Sequence, residues 1–369
     1  MSEARIDSIS NEHNTGGPTI AGITTFSGTN YFVPPVGSTG ERPENPQPGS
    51  VRFNIDIRKL EYYRGDGLGW VEVEASNVEL NGGHRGVFGN RAEPSFTDSI
   101  DYITISTLGN AIDFGDSTDA RYTYSSCASS TRGFMGGGAP SPTDRIDYIT
   151  FATKGDATDT GNLTQARWLM MQGCASSTRG LFAGGLGSPT TVDIIDYITM
   201  ASGGDAQDFG NLTQARRMGS ACQSTTRGVF AGGYWPGNHN IVDFVTIAST
   251  GNATDFGDIR SLFREGGGAS NSTRGIWFGG SNPNVNTISY TTIATTGNAQ
   301  DFGDLQGLKA SGGATSSPTR AVYGGGLSPG NTDMIEYVQI LTTGNGTDFG
   351  DLNNAGHNLQ AYSNGHGGL

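Results

Sequence analysis

The amino-acid sequence predicts an all-β protein organised as a six-bladed β-propeller. A phrase of Thr-Arg-Gly type, followed by an apolar pair and glycine, returns six times at intervals of 46 to 48 residues. Its arginines are Arg85, Arg132, Arg179, Arg227, Arg274 and Arg320. A fixed period of this length is typical of propellers and solenoids. Glycine reaches 59 residues and charged residues only 15% of the chain, a composition that favours short strands and tight turns over helices.

Each repeat is predicted to form four strands separated by turns. The fourth copy places them at residues 219–223, 227–233, 241–249 and 253–258. The third strand of a copy is apolar on both faces, as at 195–200, so each sheet should be covered on both sides. Propeller blades meet this condition because each packs between two neighbours. A parallel β-helix is the alternative, but its coils are usually shorter and lack a repeated hairpin.

Three further positions recur within the repeat. Glycine doublets end one strand of the repeat and include Gly184-Gly185, Gly232-Gly233, Gly279-Gly280 and Gly325-Gly326. The next strand carries an aromatic residue, which is Tyr102, Tyr148, Tyr197, Phe244, Tyr290 or Tyr337. A basic residue precedes the first of these strands, at Arg121, Arg167, Arg216, Arg264 and Lys309. In this order they resemble the kelch motif over residues 78–369. A kelch unit usually has tryptophan late in the repeat, where this chain has Phe114, Phe209, Phe256, Phe302 and Phe349, and Thr160 in the second copy.

The first 76 residues differ from the repeats. Residues 1–49 are predicted to form an extended arm and connector, since Pro34-Pro35 and the proline-rich run 40–49 stiffen the chain. Residues 50–76 alternate apolar and polar residues and are predicted to form a small antiparallel meander. The propeller is expected to occupy residues 77–369.

Several phrases in this N-terminal region resemble a short module of structural and tail-fibre proteins of marine tailed bacteriophages, particularly those infecting cyanobacteria. They are Thr15–Ile20, Ile23–Gly28, Gly49–Asn54, Leu60–Tyr63 and Gly69–Val73. The resemblance implies a virion protein that is synthesised in the host cytoplasm and is oligomeric in the particle. It also implies that residues 1–75 bind other virion proteins.

Composition argues against several other classes of protein. A net charge of −13 opposes binding to nucleic-acid phosphates, which requires a basic surface. No stretch reaches the 18 apolar residues of a membrane span, and the N-terminus lacks the pattern of a secretory signal, so we expect no membrane insertion. Cys127, Cys174 and Cys222 share one repeat position, which indicates buried free thiols rather than disulfides or a metal site.

The repeated charged residues have a structural interpretation and a chemical one. Asp101, Asp147, Asp196, Asp243 and Glu336 share a position that Ser289 breaks, and the Asp-Phe-Gly-Asp turns carry paired carboxylates. Such carboxylates in turns usually bond backbone amides, and calcium binding is the alternative. The six repeat arginines are expected to pair with a repeated aspartate or cap carbonyls of a neighbouring blade; a ring that collects an anion is the alternative.

Catalysis finds little support in the sequence. The five histidines lack zinc-binding or nucleophile-elbow spacing, so we expect no enzymatic activity, no cofactor and no metal. The loop after each glycine doublet varies, however, and loops on a rigid scaffold commonly carry recognition. In the fourth copy, Tyr234, Trp235, Asn238 and His239 are the candidate binding residues, because they could stack on a sugar ring, bond its hydroxyls or contact another subunit. An aromatic pair that only covers a blade edge is the alternative.

Together these patterns predict a non-enzymatic phage fibre, decoration or appendage protein that docks by its N-terminal region and displays the propeller for recognition of a host-surface glycan or another subunit. The alternatives are a carbohydrate-active enzyme that uses the central pocket, and a cellular kelch-type adaptor. Ring closure also has two possible forms. The strand-like residues 358–363 could pair with the first blade, or the stretch around Val78 could extend the last one.

Overall fold

A computed structural model describes residues 34–57, 59–65, 67, 69–72, 84–92, 95–170, 172–281, 283–327 and 329–369. The predicted arm up to residue 33 and the stretch around Val78 lie outside these residues. The chain divides into two units, Met1–Ser76 and Asn77–Leu369. Nearly all regular structure in the described ranges is β, apart from a short 3-10 helix at Thr39–Glu41. No helix within those ranges is long and apolar enough to cross a membrane.

The N-terminal unit contains one four-stranded sheet in the order β1-β2-β3-β4. Its strands are β1 (Val36–Gly37), β2 (Val51–Asn54), β3 (Lys59–Tyr63) and β4 (Trp70–Glu72). Strands β2, β3 and β4 pair antiparallel, and β1 adds to β2 in parallel. Glu61 on β3 is fully buried and lies 2.6 Å from Arg42 and 3.3 Å from Arg52. The hydrogen bond from Arg42 lowers the pKa of Glu61 and ties the connector to the sheet.

The second unit consists of six four-stranded sheets. Sheet 1 contains β5 (Arg85–Gly89), β6 (Ser99–Thr104), β7 (Ile112–Asp116) and, from the end of the sequence, β28 (Gln360–Ser363). Sheet 2 contains β8 (Ser125–Ala128), β9 (Arg132–Gly136), β10 (Thr143–Thr150) and β11 (Thr158–Arg167). Sheet 3 contains β12 (Gly173–Ala175), β13 (Arg179–Ala183), β14 (Ile194–Thr199) and β15 (Gln207–Asn211).

The remaining three sheets repeat the same plan. Sheet 4 contains β16 (Ser220–Gln223), β17 (Arg227–Ala231), β18 (His239–Thr246) and β19 (Thr254–Phe263). Sheet 5 contains β20 (Gly267–Ser270), β21 (Arg274–Phe278), β22 (Val285–Thr292) and β23 (Gln300–Lys309). Sheet 6 contains β24 (Gly313–Ser316), β25 (Arg320–Gly324), β26 (Met334–Gln339) and β27 (Thr347–Asp351). All strand pairs within these six sheets are antiparallel, and no sheet closes on itself.

The sheets pack in cyclic order. Their first strands contact one another in the sequence β8, β12, β16, β20, β24 and β28, and β28 contacts β8. The six apolar core clusters lie between neighbouring sheets; for example, Cys174 and Leu181 of sheet 3 pack with Phe230 and Val245 of sheet 4. Alternating residues of the second and third strands therefore face two different cores, which accounts for strands that are apolar on both sides.

The glycine of the Thr-Arg-Gly phrase makes room for a neighbouring sheet. A Cβ on Gly180, Gly228 or Gly275 would lie 2.4 to 2.5 Å from the sulfur of Cys127, Cys174 or Cys222 in the preceding sheet. The three thiols are free and buried, and burial raises their pKa. In sheet 5 the cysteine position holds the smaller Ala269. The following sheet has Ala321 in place of the glycine, and the two alanines pack in one core. Size complementarity thus explains this cysteine position.

Sheet 1 joins the two ends of the repeat array. Strand β28 pairs with β5 in the register Gln360 to Gly89 through Ser363 to Gly86. This is the first of the two closing arrangements that the sequence allows. The residues that follow cross to the other sheets: the Gly367 amide donates to the Ser270 carbonyl at 2.9 Å, and a ring nitrogen of His366 lies 2.6 Å from the Ala128 carbonyl oxygen.

Candidate functional site

The Asp-Phe-Gly-Asp segments, which the sequence interpretation treats as turns, lie in the fourth strands, and they hold adjacent sheets together through the backbone. The amide of Asp258 in sheet 4 donates to the side-chain oxygen of Asn298 in sheet 5 at 3.0 Å. The same bond recurs at all six junctions, including the one from Asp351 back to Asn110. No group of three or more histidine, cysteine or acidic side chains within the described ranges is placed to hold a metal ion. The residues of the Asp-Phe-Gly-Asp segments therefore have a structural role that accounts for their repetition.

The repeat arginines also link consecutive sheets. Arg227 of sheet 4 donates to the carbonyls of Ile293 and Ala294 in sheet 5, both at 2.9 Å, while its guanidinium carbon lies 4.5 Å from the ring centroid of Phe244. The equivalent bonds run from each sheet to the next, and Arg320 of sheet 6 returns to Ile105 of sheet 1. The six guanidinium groups therefore bond carbonyls of the neighbouring sheet, the role that the sequence predicts.

Four of the repeated carboxylates form buried ion pairs. They are Asp147 with Arg121, Asp196 with Arg167, Asp243 with Arg216 and Glu336 with Lys309, at 2.5 to 2.7 Å. Burial lowers the pKa of the Arg167 and Arg216 guanidinium groups, and the facing aspartates oppose this effect. Burial raises the pKa of Asp147, against the attraction of Arg121. Each carboxylate is committed to a cation inside a core, so these residues have a structural role.

The fifth copy lacks this ion pair. Each buried basic residue lies seven positions after one repeated position of the preceding fourth strand, which is Phe209 for Arg216 and Thr160 for Arg167. The same count from Phe256 leads to Phe263, not to Arg264. The Phe263 carbonyl accepts the amide of Gly233 at 2.7 Å, as the Arg216 carbonyl accepts that of Gly185 at 2.9 Å. The assignment of Arg264 to the repeated basic position is therefore wrong. Phe263 and Ser289 together replace the ion pair.

In sheet 1, a different segment of the chain supplies the cation of the buried ion pair. Gly356 occupies the position of the buried basic residue, and Arg91 occupies the position of the second glycine of the doublet. The Arg91 guanidinium lies 3.1 Å from Asp101 and also donates to the Asn354 carbonyl. A Cβ on Gly356 would lie 2.7 Å from the Arg91 side chain. Sequence periodicity does not reveal this pair, because an arginine at position 91 and a glycine at position 356 break the repeat.

Small cavities lie among the first strands of the six sheets, around the axis on which the sheets are arranged. Two cavities of about 30 Å³ each are lined by small residues of the first strands, among them Gly173, Ala221 and Gly268. Gly367 and Gly368 pack against carbonyls of Gln223, Asn271 and Ala175 at one end of this axis. Ligand pockets usually measure several hundred Å³, so these cavities suit a few water molecules.

The predicted binding residues lie together: Tyr234, Trp235 and Asn238 are in the loop between β17 and β18, and His239 begins β18. Trp235 is 41% exposed, whereas Tyr234, Asn238 and His239 are partly buried. Tyr234 and Asn238 form an isolated antiparallel bridge, and a ring nitrogen of His239 lies 2.5 Å from the Trp235 carbonyl oxygen. The φ angle of Trp235 is +144°, in a region that non-glycine residues rarely adopt. The loop therefore holds the indole at the surface in a fixed hairpin tip.

Two arginines accompany the aromatic pair. The guanidinium carbon of Arg217 lies 5.2 Å from the ring centroid of Tyr234 and 5.4 Å from that of Trp235. The guanidinium carbon of Arg264 lies 5.0 Å from the Tyr234 centroid. Both arginines lie eight positions after the aromatic of an Asp-Phe-Gly segment and bond the loop backbones at residues 234 and 281. Counting from that aromatic is the signal that places them beside the variable loops.

The same end of the other sheets carries equivalent connections. Tyr122 pairs with Ala139, Trp168 with Leu186, and Ala310 with Leu327 as isolated bridges between a connecting segment and a variable loop. The ring of Tyr122 also stacks on Phe96 at 4.9 Å. We call these loops and connecting segments the loop face. Among them, the group of Arg217, Tyr234, Trp235 and Arg264 combines two aromatic rings with two cations.

No protein-family model matches this chain, and none of the curated proteins is detectably similar to it.

Proposed function

We propose that the six sheets are the blades of a six-bladed, kelch-like propeller, and that the chain is a non-enzymatic structural protein of a tailed-phage virion. Its loop face recognises a host-surface glycan or another virion subunit. One observation carries the recognition role: the repeated residues are engaged in bonds between sheets, whereas Trp235 is exposed on a variable loop. Cyclic packing, with β28 completing sheet 1, supports the propeller.

The N-terminal unit supports a docking role for residues 1–75. It has a cleft of about 570 Å³ lined by Val36, Val51 and Trp70, and both valines are exposed. Exposed apolar surface of this kind is typical of sites that bind another protein. The assignment of that partner to a phage particle depends on the resemblance of residues 14–75 to the phage module.

A carbohydrate-active enzyme would need a substrate pocket near the axis, and cavities of about 30 Å³ disfavour that alternative. A cellular kelch-type adaptor would use the same loop face. The protein composition of purified phage particles distinguishes the virion protein from the cellular adaptor.

The virion assignment is tested by mass spectrometry of purified particles combined with immunogold labelling. We expect the full-length protein in the particles, and we expect a chain that begins at Ser76 to fold but to be absent from them. Absence of the full-length protein contradicts the virion assignment. Incorporation of the shortened chain at the full-length level contradicts docking by residues 1–75.

A further inference from the structure

Most cations of the second unit are committed to partners within the fold. The buried basic residues pair with carboxylates at 2.5 to 3.1 Å, and the repeat arginines bond carbonyls of the next sheet. Arg260 lies on a carboxylate oxygen of Asp301. Arg217 differs, since it forms no ion pair with any described residue; its Nη1 donates to the Thr191 hydroxyl at 3.3 Å.

Arg264 is also incompletely neutralised. Its Nε donates to the Ser281 hydroxyl at 3.1 Å and lies 3.7 Å from a carboxylate oxygen of Glu265. The other Glu265 oxygen accepts a hydrogen bond from Ser311 at 3.0 Å. The terminal nitrogens of both guanidinium groups therefore retain donors for a ligand.

We propose that the site formed by Arg217, Tyr234, Trp235 and Arg264 binds a sugar ring that carries an anionic substituent. This inference rests on the proposed recognition function of the loop face and specifies its ligand class. Guanidinium groups bond carboxylate or phosphate oxygens through two parallel donors, and two of them share the Tyr234 ring here. In a chain of net charge −13, this local positive charge selects an anion that the rest of the surface repels.

The neighbouring groups favour a sugar over an acidic protein segment. The exposed indole of Trp235 offers a flat apolar face to the C–H groups of a pyranose ring. A peptide carboxylate would satisfy the arginines and leave the indole face unused.

The test titrates the full-length chain with oligosaccharide probes and monitors binding by tryptophan fluorescence and by calorimetry. The probes are oligogalacturonate, its fully methyl-esterified neutral form, oligosialate, and an oligosaccharide that carries mannose 6-phosphate. We expect at least one anionic probe to bind and the esterified form to bind at least tenfold more weakly than oligogalacturonate if the carboxylate is the recognised group. Selective binding of the phosphorylated probe would assign phosphate instead. Failure of every anionic probe to bind, or equal binding of a neutral oligosaccharide, overturns the proposal.

Three variants locate the binding. Arg217→Gln and Arg264→Gln should each weaken the bound probe by about tenfold, as expected for loss of one charged hydrogen bond. Arg260→Gln, which removes an arginine already paired with Asp301, should leave its affinity unchanged. Unchanged affinity in both site variants overturns the proposal.

The outcome is separable from that of the proposed function. If Trp235→Ala reduces cell adsorption or particle incorporation while both glutamine variants behave as the wild type, loop-face recognition stands and the anionic ligand is wrong. If Trp235→Ala, Arg217→Gln and Arg264→Gln all adsorb and incorporate normally, the recognition function is wrong as well.

Discussion

Single glycines determine how closely neighbouring sheets approach. Gly257 has a φ angle of +139°, and a Cβ added there would lie 2.7 Å from the backbone carbonyl of Gly297 in the next sheet. A side chain at this position is therefore strained in conformation and also forces the two sheets apart.

We predict that Gly257→Ala lowers the free energy of unfolding by about 2 kcal/mol or more. Gly330→Ala is the matched control, because a Cβ at Gly330 meets no atom within 4 Å and its φ is not positive. Urea denaturation of both variants measures the effect. Equal stability of the two variants would contradict this account of the Asp-Phe-Gly-Asp strand segments.

A second residue-scale prediction concerns His366, which is buried at one end of the axis. Its Nε2 lies 2.6 Å from the Ala128 carbonyl, and its Nδ1 accepts the Gly368 amide, so the neutral ring satisfies both contacts. Burial lowers its pKa to about 4 from 6.5. The folded state thus binds this proton less readily than the unfolded state, and the associated stability is present above pH 6.5 and is lost as the pH falls towards 4.

We expect up to about 3 kcal/mol of unfolding free energy to be lost through His366 over that interval. Burial also lowers the pKa of His84, which adds to the loss in the same direction. Denaturation of the wild type and His366→Gln at several pH values measures the contribution as a difference in slope. Identical slopes would show that protonation of His366 is not coupled to folding.

At the scale of the structural element, the fifth copy shows how a sheet tolerates loss of its ion pair. Arg216 and Asp243 in sheet 4 are both fully buried, whereas the equivalent residues of sheet 5 are Phe263 and Ser289. Removal of one member of a buried pair leaves an uncompensated charge, and replacement of both can be nearly neutral.

We predict that Asp243→Ser alone costs about 3–5 kcal/mol of stability and that the double variant Arg216→Phe/Asp243→Ser recovers most of it. A double-mutant cycle from denaturant unfolding provides the measurement. A double variant as unstable as the sum of its two single variants would rule out the equivalence of these positions.

Sequence periodicity predicts some of these structural elements and residue positions but not others. Periodicity predicts the second strand at Arg227, because the same backbone geometry recurs in each copy, but it places the following turn at Gly251, whereas the chain turns at residues 247–248. It does not predict that Arg91 replaces the residue at position 356, since that exchange joins residues far apart in sequence and breaks the period. The sequence also indicates Tyr234 and Trp235, but residue type alone assigns Arg264 to the repeated basic position, whereas its guanidinium lies beside the Tyr234 ring.

At the scale of the whole molecule, closure depends on β28. Tyr362 on this strand packs against Phe151 in the core between sheets 1 and 2, and Ser363 bonds the Ser316 carbonyl in sheet 6. The strand therefore connects the first and last sheets and covers an edge that would otherwise be open.

We predict that deletion of residues 355–369 lowers the melting temperature by more than about 10 °C or causes aggregation. Calorimetry and light scattering report the two outcomes. Cooperative unfolding at an unchanged temperature would contradict closure through β28.

The central claim is that a rigid repeated framework presents one exposed site for recognition. Its most direct test compares Trp235→Ala with Leu341→Ala, a control at the opposite end of β26 from the loop face, where Leu341 is 65% exposed. Aromatic anchors of an interface are often worth about 2 kcal/mol or more, whereas exposed residues change folding stability by under about 0.5 kcal/mol. Cell adsorption, particle incorporation and melting temperature are measured for both variants. We expect Trp235→Ala to lose adsorption or incorporation with its melting temperature nearly unchanged, and Leu341→Ala to behave as the wild type. A Trp235→Ala protein that loses stability but retains full adsorption and incorporation would contradict the account.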